Sequence, residues 1–236
     1  MNKDDGLEKK LRLISFSGEP FRDRTQAGQL LAEELDEFRG KGAVVLGIPR
    51  GGIVIAEELA RRLDAELDIV LARKLGAPGH SELAAGAMAE DGTVYLNEEV
   101  VRQLGVTSQY IEQEKINQMN EIRRRSRLIR SVLPKTPLKN RMVLITDDGV
   151  ATGATMEAAL RAVRQEGPQR LIAAVPVASE EALIRISSDA DAIICLRRPY
   201  TFYAVGQFYR NFFQVEDQDV LRILEKEAGR RAGSTA

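Results

Sequence analysis

In the run VLITDDGVATGAT, from Val143 to Thr155, two adjacent carboxylates end an apolar β-type stretch, and small residues and hydroxyls then lead into the helical pattern MEAALRAVRQEG. Ionised carboxylates only accept hydrogen bonds, so Asp147 and Asp148 suit a pair of vicinal hydroxyls. The turn from Gly149 to Thr155 carries small or β-branched side chains, so several backbone N–H groups can converge at the positive end of the following helix. A phosphate monoester fits that turn, and a sugar phosphate fits both halves.

Two cationic clusters precede this stretch. In GAVVLGIPRGGIVIAEELARRLDA an apolar run, a Pro-Arg-Gly-Gly turn and a helix follow one another. Paired glycines let backbone amides approach an anion, and Arg50 beside Gly51 and Gly52 adds a planar fork of donors suited to phosphate. The spacing of Gly47, Gly51 and Gly52 matches neither the dinucleotide fingerprint nor the GKS/GKT-type phosphate loop. The second cluster is Arg73 and Lys74, expected at the end of a strand over 67–72. Gly76, Pro78 and Gly79 around His80 then mark a loop able to rearrange, with Glu82 beyond it.

The stretch from Val143 to Thr155 resembles the phosphoribosyl-pyrophosphate motif of the type I phosphoribosyltransferases, with Gly149 standing where that family usually has an aliphatic residue or Ser. The resemblance implies that Asp147 and Asp148 hold the ribose 2′- and 3′-hydroxyls, while Ala151, Thr152, Gly153, Ala154 and Thr155 wrap the 5′-phosphate. Arg50, Gly51 and Gly52 resemble the family's pyrophosphate loop, which often carries a cis peptide; here that would join Pro49 to Arg50. Arg73 and Lys74 would face the leaving pyrophosphate, with His80 and Glu82 as possible contacts from a mobile loop. The implied cofactor is magnesium, carried mainly by the substrate. Wording such as FRDRTQAG, IPRGG and FYAVGQFY is also similar to a branch of predicted phosphoribosyltransferases, which leaves the acceptor open.

The elements that must position these groups alternate as strand and helix, which implies a Rossmann-like α/β fold: a parallel sheet with helices on both faces. A flexible arm over 1–19, a main domain over 20–225 and a flexible tail over 226–236 are expected. Asp23 should cap a helix bearing Ala27, Leu30, Leu31 and Leu35, and Ser179 another. A helical insertion over about 98–137 carries the arginines 123, 124, 125, 127 and 130. These complement a helix C-terminus and are balanced upstream by Glu112, Glu114 and Glu121, although a dimer contact or nucleic acid would also use them. The segment 198–215 gathers Tyr200, Phe202, Tyr203, Phe208, Tyr209, Phe212 and Phe213 in a chain only 5% aromatic, forming a small hood. Such rings can stack on a planar ligand or pack a subdomain onto the sheet.

Composition narrows the partners. Lys and Arg number 34 against 35 Asp and Glu, a net charge of -1, so no global field recruits nucleic acid or an acidic membrane. One cysteine, Cys195, and one histidine exclude an intrachain disulfide and a His/Cys zinc cage. No apolar run approaches the roughly 20 residues needed to span a bilayer, and the charged N-terminus has no apolar h-region, so a cytoplasmic protein is expected. Together these readings point to transfer of a phosphoribosyl group to a small nitrogenous acceptor, with a homodimer possible. A sensor of the donor that lacks turnover is the alternative.

Overall fold

The computed structural model describes residues 7–78 and 80–233, apart from the side chains of residues 80–84, 99 and 121. Its centre is a six-stranded parallel sheet of β1 (Leu11–Ser15), β2 (Val44–Gly47), β3 (Glu66–Ile69), β7 (Met142–Thr146), β8 (Arg170–Val177) and β9 (Ala192–Arg197). The strands lie in the order β1-β9-β8-β7-β2-β3. Side chains alternate across the strands, and both faces are apolar. Val45, Leu144, Ile172 and Ala174 point into one core, while Val44, Leu46, Val143, Ile145, Leu171 and Ala173 point into the other. A sheet buried on both faces must read as near-continuous apolar runs, which is how VVLG and MVLIT read.

Helices α1 (Arg24–Glu33), α2 (Gly52–Leu63) and α7 (Asp217–Gly233) cover the first face. Helices α5 (Ala154–Arg164) and α6 (Glu180–Ile186) cover the second. Asp23 caps α1 by accepting from the Gln26 N–H at 2.8 Å, and Ser179 caps α6 by accepting from the Ala182 N–H at 3.0 Å. Satisfying an otherwise orphaned N–H in this way fixes where each helix starts.

Between β3 and β7 the chain builds a small antiparallel sheet of β4 (Arg73–Ala77), β5 (His80–Met88) and β6 (Val94–Leu96). Two helices follow, α3 (Glu98–Gln103) and the long α4 (Ser108–Arg130). Helix α4 is held down by a buried ion cluster. Arg130 pairs with Asp68 of β3 at 2.7 Å and with Glu90, just after β5, at 2.8 Å, and the Ser126 hydroxyl donates to Glu90 at 2.6 Å.

Three boundaries differ from expectation. Residues 11–15 are not a loose arm: Leu11 and Leu13 pack against the second core, and β1 pairs in parallel with β9 from Leu11↔Ile193 to Ser15↔Arg197. Residues 226–233 are not a fraying tail. Glu227, only 5% exposed, accepts from Arg230 and Arg231, and Arg231 also donates to the Leu67 carbonyl at 2.6 Å, so α7 runs to Gly233 on the β3 edge. Strand β3 ends at Ile69 rather than at residue 72, because its partner β2 ends at Gly47, whose carbonyl takes the last ladder bond from the Val70 N–H at 3.1 Å. Arg73 and Lys74 therefore open a hairpin strand instead of closing a sheet strand. The segment expected to be a mobile loop forms the two arms of that hairpin, with register shifts at Leu75/Gly76 and Gly76/Ala77.

Candidate active site

Strand order determines where a ligand can sit. From β2 the chain proceeds outward to β3, and from β7 it proceeds the other way to β8 and β9, so the sheet reverses direction between β2 and β7. At such a switch point the loops after the two central strands part and leave a crevice at their carboxyl ends. The loop after β2 is Ile48–Gly51; the residues after β7 are Asp147 and Asp148. The predicted Arg50-Gly51-Gly52 turn and the acidic pair meet here.

They meet at very close range. A Cβ on Gly51 would lie 1.9 Å from Asp148 Oδ2, and one on Gly52 would lie 2.7 Å from the Thr146 carbonyl and 2.9 Å from Asp147 Cα. The glycines thus let the loop after β2 press against the acidic pair. The peptide between Pro49 and Arg50 is cis. Arg50 reaches Glu216 at 3.1 Å, and with Arg24, Gly51 and Phe212 it lines a cavity of about 370 Å³.

The acidic pair is half-buried and tightly coupled. Burial pushes the Asp147 carboxyl well above the ordinary carboxylate range, and the neighbouring charge of Asp148 adds to this. Asp148 is also pushed up by burial, but Arg24 opposes the rise. Arg24 Nε donates to Asp148 Oδ2 at 2.7 Å, and the Asp148 N–H donates to Asp147 Oδ1 at 2.8 Å.

From Val150 the chain runs into the turn of Ala151–Thr155. The Val150 N–H donates to the Val177 carbonyl at 2.9 Å, and the Ser179 hydroxyl donates to the Ala151 carbonyl, so the turn is fixed to β8 and to the α6 cap. Gly153 takes φ 80°, a left-handed conformation that glycine adopts without strain, immediately before α5. Ala151, Thr152 and Thr155 are exposed, whereas Gly153 and Ala154 are buried. This is a helix N-terminus open to an anion, one turn from two hydroxyl acceptors.

A second and larger cavity, about 570 Å³, lies between the hairpin, α4 and the loop after β2. Thr155, Pro49, Arg73 and Lys74 line it, so the basic pair faces the same space as the phosphate turn. Asp147, Asp148, Gly51 and Gly52 meet at the crevice, and Arg73, Lys74 and Thr155 meet at this cavity. The side chains of His80 and Glu82 lie outside the described residues.

Several residues at the site escaped sequence reasoning. Arg24, read only as part of a helix start, reaches the site 124 positions along the chain. Its guanidinium lies 3.8 Å from the centre of the Phe212 ring and donates to the Phe213 carbonyl at 2.7 Å. The Tyr209 hydroxyl donates to the Asp148 carbonyl, so the aromatic segment is bolted to the acidic pair. That segment divides its rings: Tyr209 is buried, Phe202 and Phe208 pack together at 4.8 Å, and Tyr200, Tyr203 and Phe213 are largely exposed. No local pattern around Arg24 or Tyr209 signals these contacts, which exist only once Phe21 pairs with Tyr209 across the fold. Cys195 is buried, and burial pushes its thiol up to about 12, against the thiolate a nucleophile needs.

A parallel sheet whose switch point holds an acidic pair and a helix N-terminus defines an α/β protein with a ligand-sized crevice at the carboxyl ends of its central strands. Residues 24–212 match the family model described as "Phosphoribosyl transferase domain", and the chain belongs to that family. It is 42% identical over 206 residues to "Putative phosphoribosyl transferase Rv0571c" of Mycobacterium tuberculosis (strain ATCC 25618 / H37Rv), and equally to "Putative phosphoribosyl transferase MT0597" of strain CDC 1551 / Oshkosh. The match covers 87% of this chain and 46% of either relative, so the chain spans about half the length of the curated relatives it matches. The crystal structure of TT1426 from Thermus thermophilus is similar at 49% identity and a TM-score of 0.83, covering 89% of this chain and 100% of that one. Among the described residues no helix is long and apolar enough to cross a membrane.

Proposed function

We propose that this chain transfers a phosphoribosyl group from phosphoribosyl pyrophosphate to a nitrogenous, nucleobase-like acceptor and releases pyrophosphate. The observation that carries the reading is the packing of Gly51 and Gly52 against Asp147 and Asp148 at the switch point, one loop from the α5 N-terminus. In this reading Asp147 and Asp148 accept from the ribose hydroxyls. The amides of Ala151, Thr152, Gly153, Ala154 and Thr155 hold the 5′-phosphate. Arg50 and the amides of Gly51 and Gly52 meet the pyrophosphate, together with Arg73 and Lys74. As the bond to pyrophosphate breaks, negative charge gathers on the leaving group and the ribose carbon becomes electron-poor, so cations at one end and carboxylates beside the sugar stabilise the separated charges. The phosphate grip holds the reacting carbon in place.

Among the described residues no group of three or more His, Cys, Asp or Glu side chains converges. In this reading magnesium arrives mainly with the substrate's phosphate oxygens, and Asp147 or Asp148 would supply a carboxylate, since magnesium favours phosphates plus one or two carboxylates. Bound there, the ion would neutralise charge on the leaving group.

Hypoxanthine-guanine-type members of the resembled family carry a third Asp, three positions after the acidic pair, placed to exchange a proton with a 6-oxopurine. Here that position is Ala151, and a methyl group cannot supply general acid-base catalysis, typically about 10²- to 10⁴-fold in rate. Hypoxanthine and guanine are accordingly expected to be poor acceptors. Pyrophosphate release is to be measured with donor, magnesium and a panel of bases. Base-dependent release supports the transferase, donor binding without release favours the sensor, and efficient turnover of hypoxanthine or guanine defeats the Ala151 argument.

A further inference from the structure

Helix α4 is the one wall of the 570 Å³ cavity that the donor motifs do not provide. Tyr110, Glu114, Gln118, Ile122 and Arg125 fall three or four residues apart and face the cavity together. A helix face turned inward is normally apolar, yet four of these five side chains carry polar or ionisable groups. The stripe is held in place from below: Ile122 and Ile129 are 1% and 4% exposed, and Arg130 is locked to Asp68 and Glu90. It is also ordered within itself, because Gln118 Nε2 donates to Glu114 Oε1 at 2.9 Å. Across the cavity stand Arg73 and Lys74, with Thr155 of the phosphate turn between the two walls. Among the described residues the charged lining is Arg73, Lys74, Arg125 and Glu114. Guanidinium and ammonium groups that reach one space can share a polyanion's oxygens, which a neutral ring does not offer.

We infer that α4 completes the leaving-group pocket, with Arg125 as a third cationic contact for the donor's pyrophosphate beside Arg73 and Lys74. The inference rests on the phosphoribosyl-transfer reading and extends it to a residue outside the donor motifs. Arg125 is suited to the role because its planar guanidinium can bind two phosphate oxygens at once. Its position on a docked helix also means that no disordered segment has to be ordered for the contact to form.

The test is calorimetric titration of magnesium pyrophosphate, and separately of ribose 5-phosphate, into the full chain and three variants whose folding is checked by melting. Arg125→Gln is expected to weaken pyrophosphate binding by about tenfold or more, the loss of one charge-assisted hydrogen bond, and to leave ribose 5-phosphate within about twofold. Arg125→Lys should fall between, since it keeps the charge and loses the fork. Arg127→Gln, exposed on the same helix, should change neither. Unchanged pyrophosphate affinity in Arg125→Gln, or equal losses for both ligands, overturns the inference while leaving the transferase reading intact. If the unaltered protein binds neither ligand, the donor reading itself falls. If it binds only ribose 5-phosphate, the leaving-group pocket falls.

Discussion

At the residue scale, the acidic pair works against the fold that holds it. Burial and mutual repulsion raise Asp147 well above the ordinary carboxylate range. A folded-state pKa above the unfolded value means the native protein binds more protons there, so the stability linked to this group is complete below the unfolded pKa and is lost as pH rises through the folded one. Asp147→Asn removes that cost. The variant is expected to melt higher than the parent at neutral pH, with the gap closing under acid conditions, and to bind donor far more weakly. A lower neutral melting temperature would show that Asp147 supports the fold. Arg24 acts in the opposite direction on Asp148, where burial is the larger influence and the guanidinium holds the rise in check. Arg24→Gln should let the Asp148 carboxyl rise further, so the acid limb of donor affinity moves to higher pH. Donor titrations across acid to neutral pH that superimpose for the two proteins would remove Arg24 from the site.

At the scale of elements, α4 is clamped to β3 by the Arg130 cluster, one of several contacts that seat it, with Arg124 paired to Asp217 of α7 and Ile129 buried in the first core. Burial pushes the Glu90 carboxyl up, but Arg130 and Ser126 outweigh burial and hold it below its ordinary value. A depressed carboxylate pKa contributes stability that is present above the unfolded pKa and is lost as pH falls through the folded one, so the clamp is complete at neutral pH. Breaking a buried pair from one side leaves an uncompensated charge, typically costing about 3–5 kcal/mol. Arg130→Ala should approach that loss in denaturant unfolding and should also weaken pyrophosphate binding, because the α4 wall loosens. A loss under about 1 kcal/mol, the level of an exposed pair, would mean the clamp carries little. The long helix was legible as an Arg-rich insertion over about 98–137; the structure caps it at Thr107, whose hydroxyl accepts from the Tyr110 N–H at 3.2 Å. The division of labour among its arginines was not legible: Arg130 is internal, Arg124 pairs with Asp217 at 3.2 Å, and Arg125 faces the cavity. Sequence spacing gives the face of a helix, but not which face meets the body.

At the scale of the whole molecule, the legible parts were those whose signal is local. The acidic pair, the turn of Ala151–Thr155 before a helix and the Pro49–Arg50 cis peptide each occupy consecutive residues, and the central strands announce themselves as apolar runs. What remained hidden depends on partners far along the chain: β1 needs β9, the end of α7 needs the β3 edge, and Arg24 needs both Asp148 and Phe212. If these pieces form one donor site, saturating phosphoribosyl pyrophosphate with magnesium should raise the melting temperature of the whole cooperative unit, by an amount set by the ratio of ligand to its dissociation constant. No shift in a folded sample would contradict the donor assignment.

The placement of β1 and α7 has a consequence for rewiring the chain. Strand β1 lies at one edge of the central sheet, while α7 packs beside β3 at the other. Five inter-strand spacings of about 4.8 Å separate those edges, or about 24 Å. A circular permutant joining the ends of the described segment with a two- or three-residue linker could not bridge that gap without pulling β1 or α7 from its seat. A flexible linker of about 16–20 residues, whose r.m.s. span of roughly 5–6 Å times the square root of its length matches the separation, would leave both edges in place.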